Sequence, residues 1–265
     1  MAVRLIVTDL DGTFLGEDSR LSPVNLAAAR RALSRGLRFV VATGRPLRWL
    51  SPLRPLLDLE PVIIASNGAC VQQEGHIVAE HHLDPEMIRR VAADMRSAVP
   101  GVAFAIEHAR GWAHEPHYSR HPDRGPAPSV APLEELPLHG TLKLLAWHPE
   151  VSTEPLARAV SECVQDRFTA TFSFLSRSGL VELSARGVTK ASTLTGLLRE
   201  WEISPHEVAA FGDMPNDIDM LRLAGSAFVP ANAHPLLLGA GFTVIGHHDA
   251  DGVGIQIERL LDETR

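Results

Sequence analysis

Cysteine is nearly missing from this chain: Cys70 and Cys163 are the only two in 265 residues. Two thiols are too few for a disulfide framework or a thiolate metal site. No apolar run approaches the length of a membrane span, and the first residues lack the basic-then-apolar layout of a secretion signal. Basic charge is also in deficit, with 25 Lys and Arg against 32 Asp and Glu and a formal charge of -7. A general nucleic-acid binder needs a basic face, so that class is excluded. There is no Walker-type phosphate loop, and no Gly-x-Gly-x-x-Gly follows the first apolar run, so nucleotide and dinucleotide binding lack support. Internal repeats and low-complexity tails are absent as well. These absences describe a cytoplasmic protein that uses neither membrane nor nucleic acid as a partner. Any anionic substrate must then be held by local positive groups or a metal, because the global field opposes it.

What is present is a large apolar fraction, 45% of residues, enough for a real core. The length suits one large domain or two smaller ones. The first third alternates strands and helices. Val3–Thr8, Leu37–Ala42 and Pro61–Ala65 read as buried strands, and Ser22-Pro23 opens a helix with Leu26, Ala29 and Leu33 in phase. That rhythm implies right-handed crossovers and a parallel sheet. It changes near residue 80. A helix from Asp84-Pro85, strands at Val102–Glu107 and Leu142–Trp147, a helix at Thr153–Gln165 and a hairpin of Phe168–Leu175 with Leu180–Ser184 suggest an antiparallel α+β module. Residues 115–140 are rich in Pro and His without periodicity and read as a long surface loop. After Gly187 the alternating pattern resumes, with a helix at Thr189–Trp201, strands at Val208–Phe211, Ala227–Val229 and Phe242–Ile245, and a helix at Ile218–Leu223. The expected fold class is α/β: a Rossmann-like parallel-sheet core from residues 1–82 and 184–265, with an α+β module inserted at 83–183.

Polar residues collect where core strands end. Asp9 and Asp11 follow the first strand, Thr43 and Gly44 the second, and Asp213, Asn216 and Asp217 follow Val208–Phe211, while Lys190 opens a helix. In open α/β sheets this edge is where ligands bind. Asp9, Asp11 and Asp213, with a lysine and a threonine, suit phosphoryl transfer with a hard divalent metal. Mg2+ takes oxygen ligands and keeps several waters, so one or two carboxylates with a phosphate suffice. Asp9 and Asp213, with a main-chain carbonyl near Asp11, can supply them. One carboxylate can act as nucleophile, and a second can serve as acid and base.

The chain resembles the haloacid dehalogenase-like superfamily, specifically its Cof-type branch with a large α/β cap. Asp9-Leu10-Asp11-Gly12-Thr13 matches the first motif, Thr43-Gly44-Arg45 the second, Lys190 the third, and Gly212-Asp213-Met214-Pro215-Asn216-Asp217 the fourth. Asn67-Gly68-Ala69 and Asp251-Gly252-Val253 match further segments typical of the branch. The resemblance covers 1–82 and 184–265 and is looser across the insert. It implies a Mg2+-dependent phosphatase acting on a small phosphate ester, such as a sugar phosphate, through an aspartyl-phosphate. Asp9 would be nucleophile and metal ligand, and Asp11 the acid/base and the donor of a main-chain carbonyl to the metal. Thr43, Gly44 and Lys190 would bind the phosphoryl group, and Asp213 would ligate Mg2+ with Asn216 and Asp217 in support. The insert would be the cap. The chain departs from the branch in two places: Ala191 stands where Gly usually follows the lysine, and Pro230-Ala231-Asn232-Ala233 replaces a Met-Gly-Asn-Ala run. A phosphomutase and a catalytically weak binding protein are the rival readings.

Four further features have more than one reading. Asp217 either supports the metal or caps the next helix. Arg45 either reaches substrate or cap, or makes an ordinary salt bridge. Asn67 either touches the site or forms a turn with Gly68, and Asn-Gly favours the turn. His114, His117 and His121 have the spacing of a zinc site, but Pro116 and Pro122 break any helix that would align them, so a solvated loop is the expectation. Trp49, Trp112, Trp147 and Trp201 read as core or hinge packing.

Overall fold

The computed structural model describes residues 2–119 and 129–263. In chain order the first elements are β1 (Leu5–Thr8), α1 (Pro23–Ser34), β2 (Arg38–Ala42), α2 (Arg54–Leu57), β3 (Val62–Ala65), β4 (Cys70–Gln73) and β5 (His76–Glu80). There follow α3 (Pro85–Ala98), β6 (Ala103–Glu107), β7 (Trp112–His114), β8 (Ser129–Val130), β9 (Lys143–Trp147), α4 (Thr153–Val164), β10 (Phe168–Thr171) and β11 (Leu180–Ala185). The last are α5 (Lys190–Glu200), β12 (Val208–Phe211), α6 (Ile218–Leu223), β13 (Ser226–Pro230), α7 (Pro235–Leu238), β14 (Thr243–Ile245) and α8 (Gly252–Glu263).

Two sheets result. The larger runs β14-β13-β12-β1-β2-β3-β4-β5. It is parallel from β14 to β3 and closes with two antiparallel strands. Its central strands are buried on both faces, which is why they read as continuous apolar runs. Alternate residues of one strand serve opposite layers: Ile6, Val41 and Phe211 pack with Ala28, Ala29 and Ile257 of α1 and α8. Leu5, Val7, Val40 and Ala210 pack with Leu194, Leu198 and Met220 of α5 and α6. Two of these helices begin where their caps dictate. Ser22 Oγ accepts the Asn25 N–H, and Thr189 and Ser192 exchange side-chain and backbone hydrogen bonds ahead of α5.

The smaller sheet runs β10-β11-β9-β6-β7-β8 and is antiparallel except for its β7–β8 edge. Phe104, Ile106, Leu144 and Leu183 face α3 and α4, burying Ile88, Met95, Leu156 and Val160. The alternate set, including Glu107, Lys143, Leu145 and Glu182, lines the cavity described below. Among the described residues no helix is long and apolar enough to cross a membrane.

The structure adds one hairpin to the sequence reading and corrects one expectation. Residues 70–80 form the β4–β5 hairpin, whose short strands with polar Gln72 and Gln73 carried no periodic signal. The described parts of 115–140 do lie mostly at the surface, but they are not structureless: Tyr118, Leu133, Leu136 and Leu138 are buried, and β8 pairs with β7. His114 is likewise buried within β7, its Nδ1 2.7 Å from the Glu115 carbonyl, whereas His117 is exposed. Neither belongs to a metal-ligand cluster among the described residues, and His121 lies outside them.

Candidate active site

Because β1 lies between β12 and β2, the loops leaving these three strands meet at one sheet edge. Asp9 follows β1, Thr43 follows β2 and Asp213 follows β12. Gly12 is essential to the approach: it has φ +74°, and a Cβ there would collide with the Asp213 carboxylate. The loop is tied down on two sides. Thr13 Oγ1 donates to Asp213 Oδ1 at 2.7 Å, and Asn232 Nδ2 donates to the Gly12 carbonyl at 2.7 Å. The Pro230–Ala233 departure therefore keeps the side chain that braces the first loop.

Lys190 enters from the first turn of α5. Its Nζ lies 2.6 Å from Asp9 Oδ1 and 2.7 Å from Asp217 Oδ1, with all three side chains buried. Asp217 Oδ2 accepts the N–H groups of Asp213 and Met214, both at 3.1 Å. Its side chain holds the loop and the lysine and makes no capping bond to α6. Ligand atoms of Asp9, Asp213 and Asp217 fall within 4.8 Å of one another. Three buried acids against one ammonium leave excess negative charge. Burial foremost, opposed by Lys190 and reinforced by Asp217 and Asp11, pushes the Asp9 carboxyl up to about 7. Burial, then Asp9 and Asp217, likewise raises Asp213, against Thr13 and Lys190. Burial works against the Lys190 ammonium, but Asp217 and Asp9 outweigh it and hold its pKa above the ordinary lysine value. Such a cluster favours a compensating cation, and an all-oxygen donor set suits a hard divalent one.

Asp11 has a different environment. Its side chain is 45% exposed, lines the cavity and is gripped by Arg45 through both carboxylate oxygens, with Nε–Oδ2 at 2.6 Å. Arg45 thus makes the salt bridge that was one of its two readings, and it also faces the cavity. Thr43 is fully buried, and its Oγ1 accepts the Arg45 N–H at 3.1 Å, which leaves its hydroxyl proton available to donate. Gly44 lines the cavity beside it. The Asn216 amide contacts Asn67 Oδ1 at 3.1 Å and Ser173 Oγ at 3.5 Å, while its buried Oδ1 has no hydrogen-bond partner. Its bonds run to the seam between the sheets and not to the carboxylates. Asn67 adopts φ +56° in the turn before β4 and also donates to Glu182 at 2.9 Å and Thr171 at 3.1 Å.

The cavity is about 490 Å³, with Asp9, Asp11 and Arg45 on one wall and Trp112, Lys143, Phe174 and Glu182 on the other. Sequence reasoning missed the charged part of the second wall. Arg48 Nη2 lies 2.8 Å from Glu107 Oε1, and Lys143 Nζ lies 3.1 Å from Glu107 and 2.6 Å from Glu182. Burial would raise the Glu107 carboxyl, but Lys143 and Arg48 outweigh it and hold it below the usual range. The only signal was period 2: Lys143 and Glu182 alternate with apolar neighbours, a pattern that equally fits a strand wet on one face.

A family profile described as haloacid dehalogenase-like hydrolase matches residues 6–257. The chain is 28% identical over 275 aligned positions to the Escherichia coli (strain K12) protein named 5-amino-6-(5-phospho-D-ribitylamino)uracil phosphatase YbjI, covering 98% of this chain and 97% of that one. Among solved structures, SMU.1108c from Streptococcus mutans UA159 superposes with a TM-score of 0.87 at 24% identity, covering 98% of this chain and 100% of that one. The HAD subclass IIB sugar phosphatase BT4131 gives 0.80 at 21% identity, covering 97% and 98%. The fold, the clustered acids and the profile agree: the chain belongs to the haloacid dehalogenase-like hydrolase family, and it is an enzyme of the phosphoric monoester hydrolase kind.

Proposed function

We propose that the chain hydrolyses a small phosphate ester through an aspartyl-phosphate on Asp9, with Mg2+ as cofactor. The observation that carries this is the Asp9–Lys190–Asp217 chain of contacts, 2.6 and 2.7 Å, whose Asp9 end lines the cavity together with Asp11. An Asp9 oxygen attacks phosphorus while the bond from phosphorus to the leaving oxygen breaks, and Asp11 gives that oxygen a proton. Water then attacks phosphorus, Asp11 takes its proton, and the acyl-phosphate bond breaks to return the Asp9 carboxylate and inorganic phosphate. The Thr43 hydroxyl, the Gly44 N–H and Lys190 hold the phosphoryl oxygens. Mg2+ held by Asp9, Asp213 and the Asp11 main-chain carbonyl, with Asp217 behind them and Asn216 beside them, would neutralise charge on the phosphoryl group. Arg45 engages both Asp11 oxygens in this structure, so it must free one of them for Asp11 to carry the proton. Residues 83–183 act as the cap that excludes water and reads the leaving group.

The cavity volume suits a metabolite, not a macromolecule. The substrate named for the Escherichia coli relative carries its phosphate on a ribityl chain. Sugar and polyol phosphates, that compound among them, form the panel to test. Mg2+-dependent release of inorganic phosphate from at least one member is expected. A folded protein that releases none from any member would overturn the reading.

The Asp9 carboxyl also sets a pH dependence. Without a cation its pKa stands at about 7 against an ordinary 3.8, so between those values the native state binds more protons than the unfolded one. Stability from this group therefore declines as pH rises through that window. A cation needs the ionised form and displaces the proton. The rise in Tm produced by a fixed Mg2+ concentration is expected to be larger at about pH 8 than at about pH 5.5. Equal shifts at the two pH values would remove Asp9 from the cation's ligands.

A further inference from the structure

The seam between the two sheets closes on Gly44. Lys143, the first residue of β9, is buried, and its Nζ reaches the Gly44 carbonyl at 2.9 Å as well as Glu182 and Glu107. Over the same glycine lies Ser173, between β10 and β11: a Cβ on Gly44 would stand 2.6 Å from Ser173 Oγ. The Gly44–Arg45 peptide is thus fixed at both ends. Its carbonyl is held by an ammonium from the smaller sheet, and its N–H by Thr43 Oγ1 of its own loop. The next side chain, Arg45, grips Asp11.

We propose that Lys143 is a positioning residue for the reaction: by holding the Gly44 carbonyl it sets the peptide that orients the Gly44 N–H, the Thr43 hydroxyl and the Arg45–Asp11 pair. The phosphoryl pocket is then complete only when the smaller sheet is seated on the larger one, which couples closure to chemistry without Lys143 touching the substrate. The carboxylates of Glu107 and Glu182 flank the ammonium and fix its direction. Burial alone would discharge Lys143, but these two acids outweigh it and hold its pKa above the usual lysine value, so it donates as a cation. The ring of Arg48, Glu107, Lys143 and Glu182 is charge-neutral, so it can be buried at the seam without a counter-ion.

This inference rests on reading Thr43–Arg45 as the phosphate loop, and its test separates the two ideas. The full chain is assayed with Mg2+ on p-nitrophenyl phosphate, a leaving group too plain to need specific recognition, and inorganic phosphate is titrated as a competitive inhibitor. Lys143→Met is expected to lower kcat/KM by about 10- to 100-fold, the loss of one charge-assisted hydrogen bond. It is also expected to weaken inhibition by phosphate about threefold or more, a readout that a smaller folded fraction does not move. Because Lys143→Met strands Glu182, the neutral pair Lys143→Met with Glu182→Gln is measured beside it. The pair is expected to recover Tm while kcat/KM stays low. Wild-type kcat/KM in the pair, or an unchanged phosphate inhibition constant in both variants, would overturn the role given to Lys143. A wild-type protein inactive on p-nitrophenyl phosphate and on the metabolite panel would overturn the phosphatase mechanism itself and this inference with it.

Discussion

Asp9→Asn is expected to reduce kcat by at least about 10⁴-fold, the scale seen when a nucleophile acting as part of a unit is removed. The amide keeps the shape of the carboxyl but cannot attack phosphorus. The fold should survive. The Asp9 carboxyl is buried beside Asp217 and Asp213, and without a cation its pKa of about 7 keeps it half protonated near neutrality. A neutral side chain of the same size therefore resembles a state the folded protein already occupies. Removing one of three crowded acids relieves repulsion, while Lys190 keeps its 2.7 Å contact with Asp217. The metal-free variant is expected to melt at or above the wild-type Tm, with the gain of stability on adding Mg2+ diminished. Residual activity within about tenfold of wild type would assign the nucleophile elsewhere, whatever the melting curve shows.

Lys190→Met should be the most destabilising single change at the site. Met spares the aliphatic stem and removes the ammonium. Asp9 and Asp217 then stay buried, at 8% and 0% side-chain exposure, with no cation between them. Breaking a buried pair by removing one partner costs about 3–5 kcal/mol, or roughly 6–20 °C in Tm for a chain of this size. Adding Asp9→Asn to the variant should recover part of that loss by removing one stranded charge. Turnover should be abolished in both. Denaturant titration of the metal-free proteins checks this. A cost below about 1 kcal/mol, the range of exposed pairs, would mean that water or a rearranged carboxylate takes the place of the ammonium, and Lys190 would lose its structural role.

The parts of the site that were legible in the sequence lie at the ends of buried parallel strands. A run such as Leu5-Ile6-Val7-Thr8 has one reading, and polar residues right after it must sit at the sheet edge. Because β12, β1 and β2 are neighbours, Asp213, Asp9 and Thr43 converge although some 200 positions separate the outermost of them in the chain. Lys190 was legible from its place at a helix start. The Arg48–Glu107–Lys143–Glu182 ring was not. Each member sits singly among apolar neighbours, and a lone charge in a strand normally marks a wet face. Only the second sheet seated over the first makes that face dry. The β4–β5 hairpin was lost for want of a periodic signal. The buried leucines at 133, 136 and 138 were lost because an irregular segment has no period to read, although its side chains can still fill a core.

The central claim is a covalent phosphoryl group on Asp9, and the most direct measurement is chemical trapping. The enzyme with Mg2+ is quenched in acid during turnover of a substrate from the panel, reduced with borohydride, digested and mapped by mass spectrometry. An acyl-phosphate is reduced to the alcohol, whereas a free carboxylate is not. Homoserine is expected in place of Asp9, with intact aspartate at Asp11, Asp213 and Asp217. Reduction at Asp11, or turnover with no reduced residue at position 9, would contradict that claim.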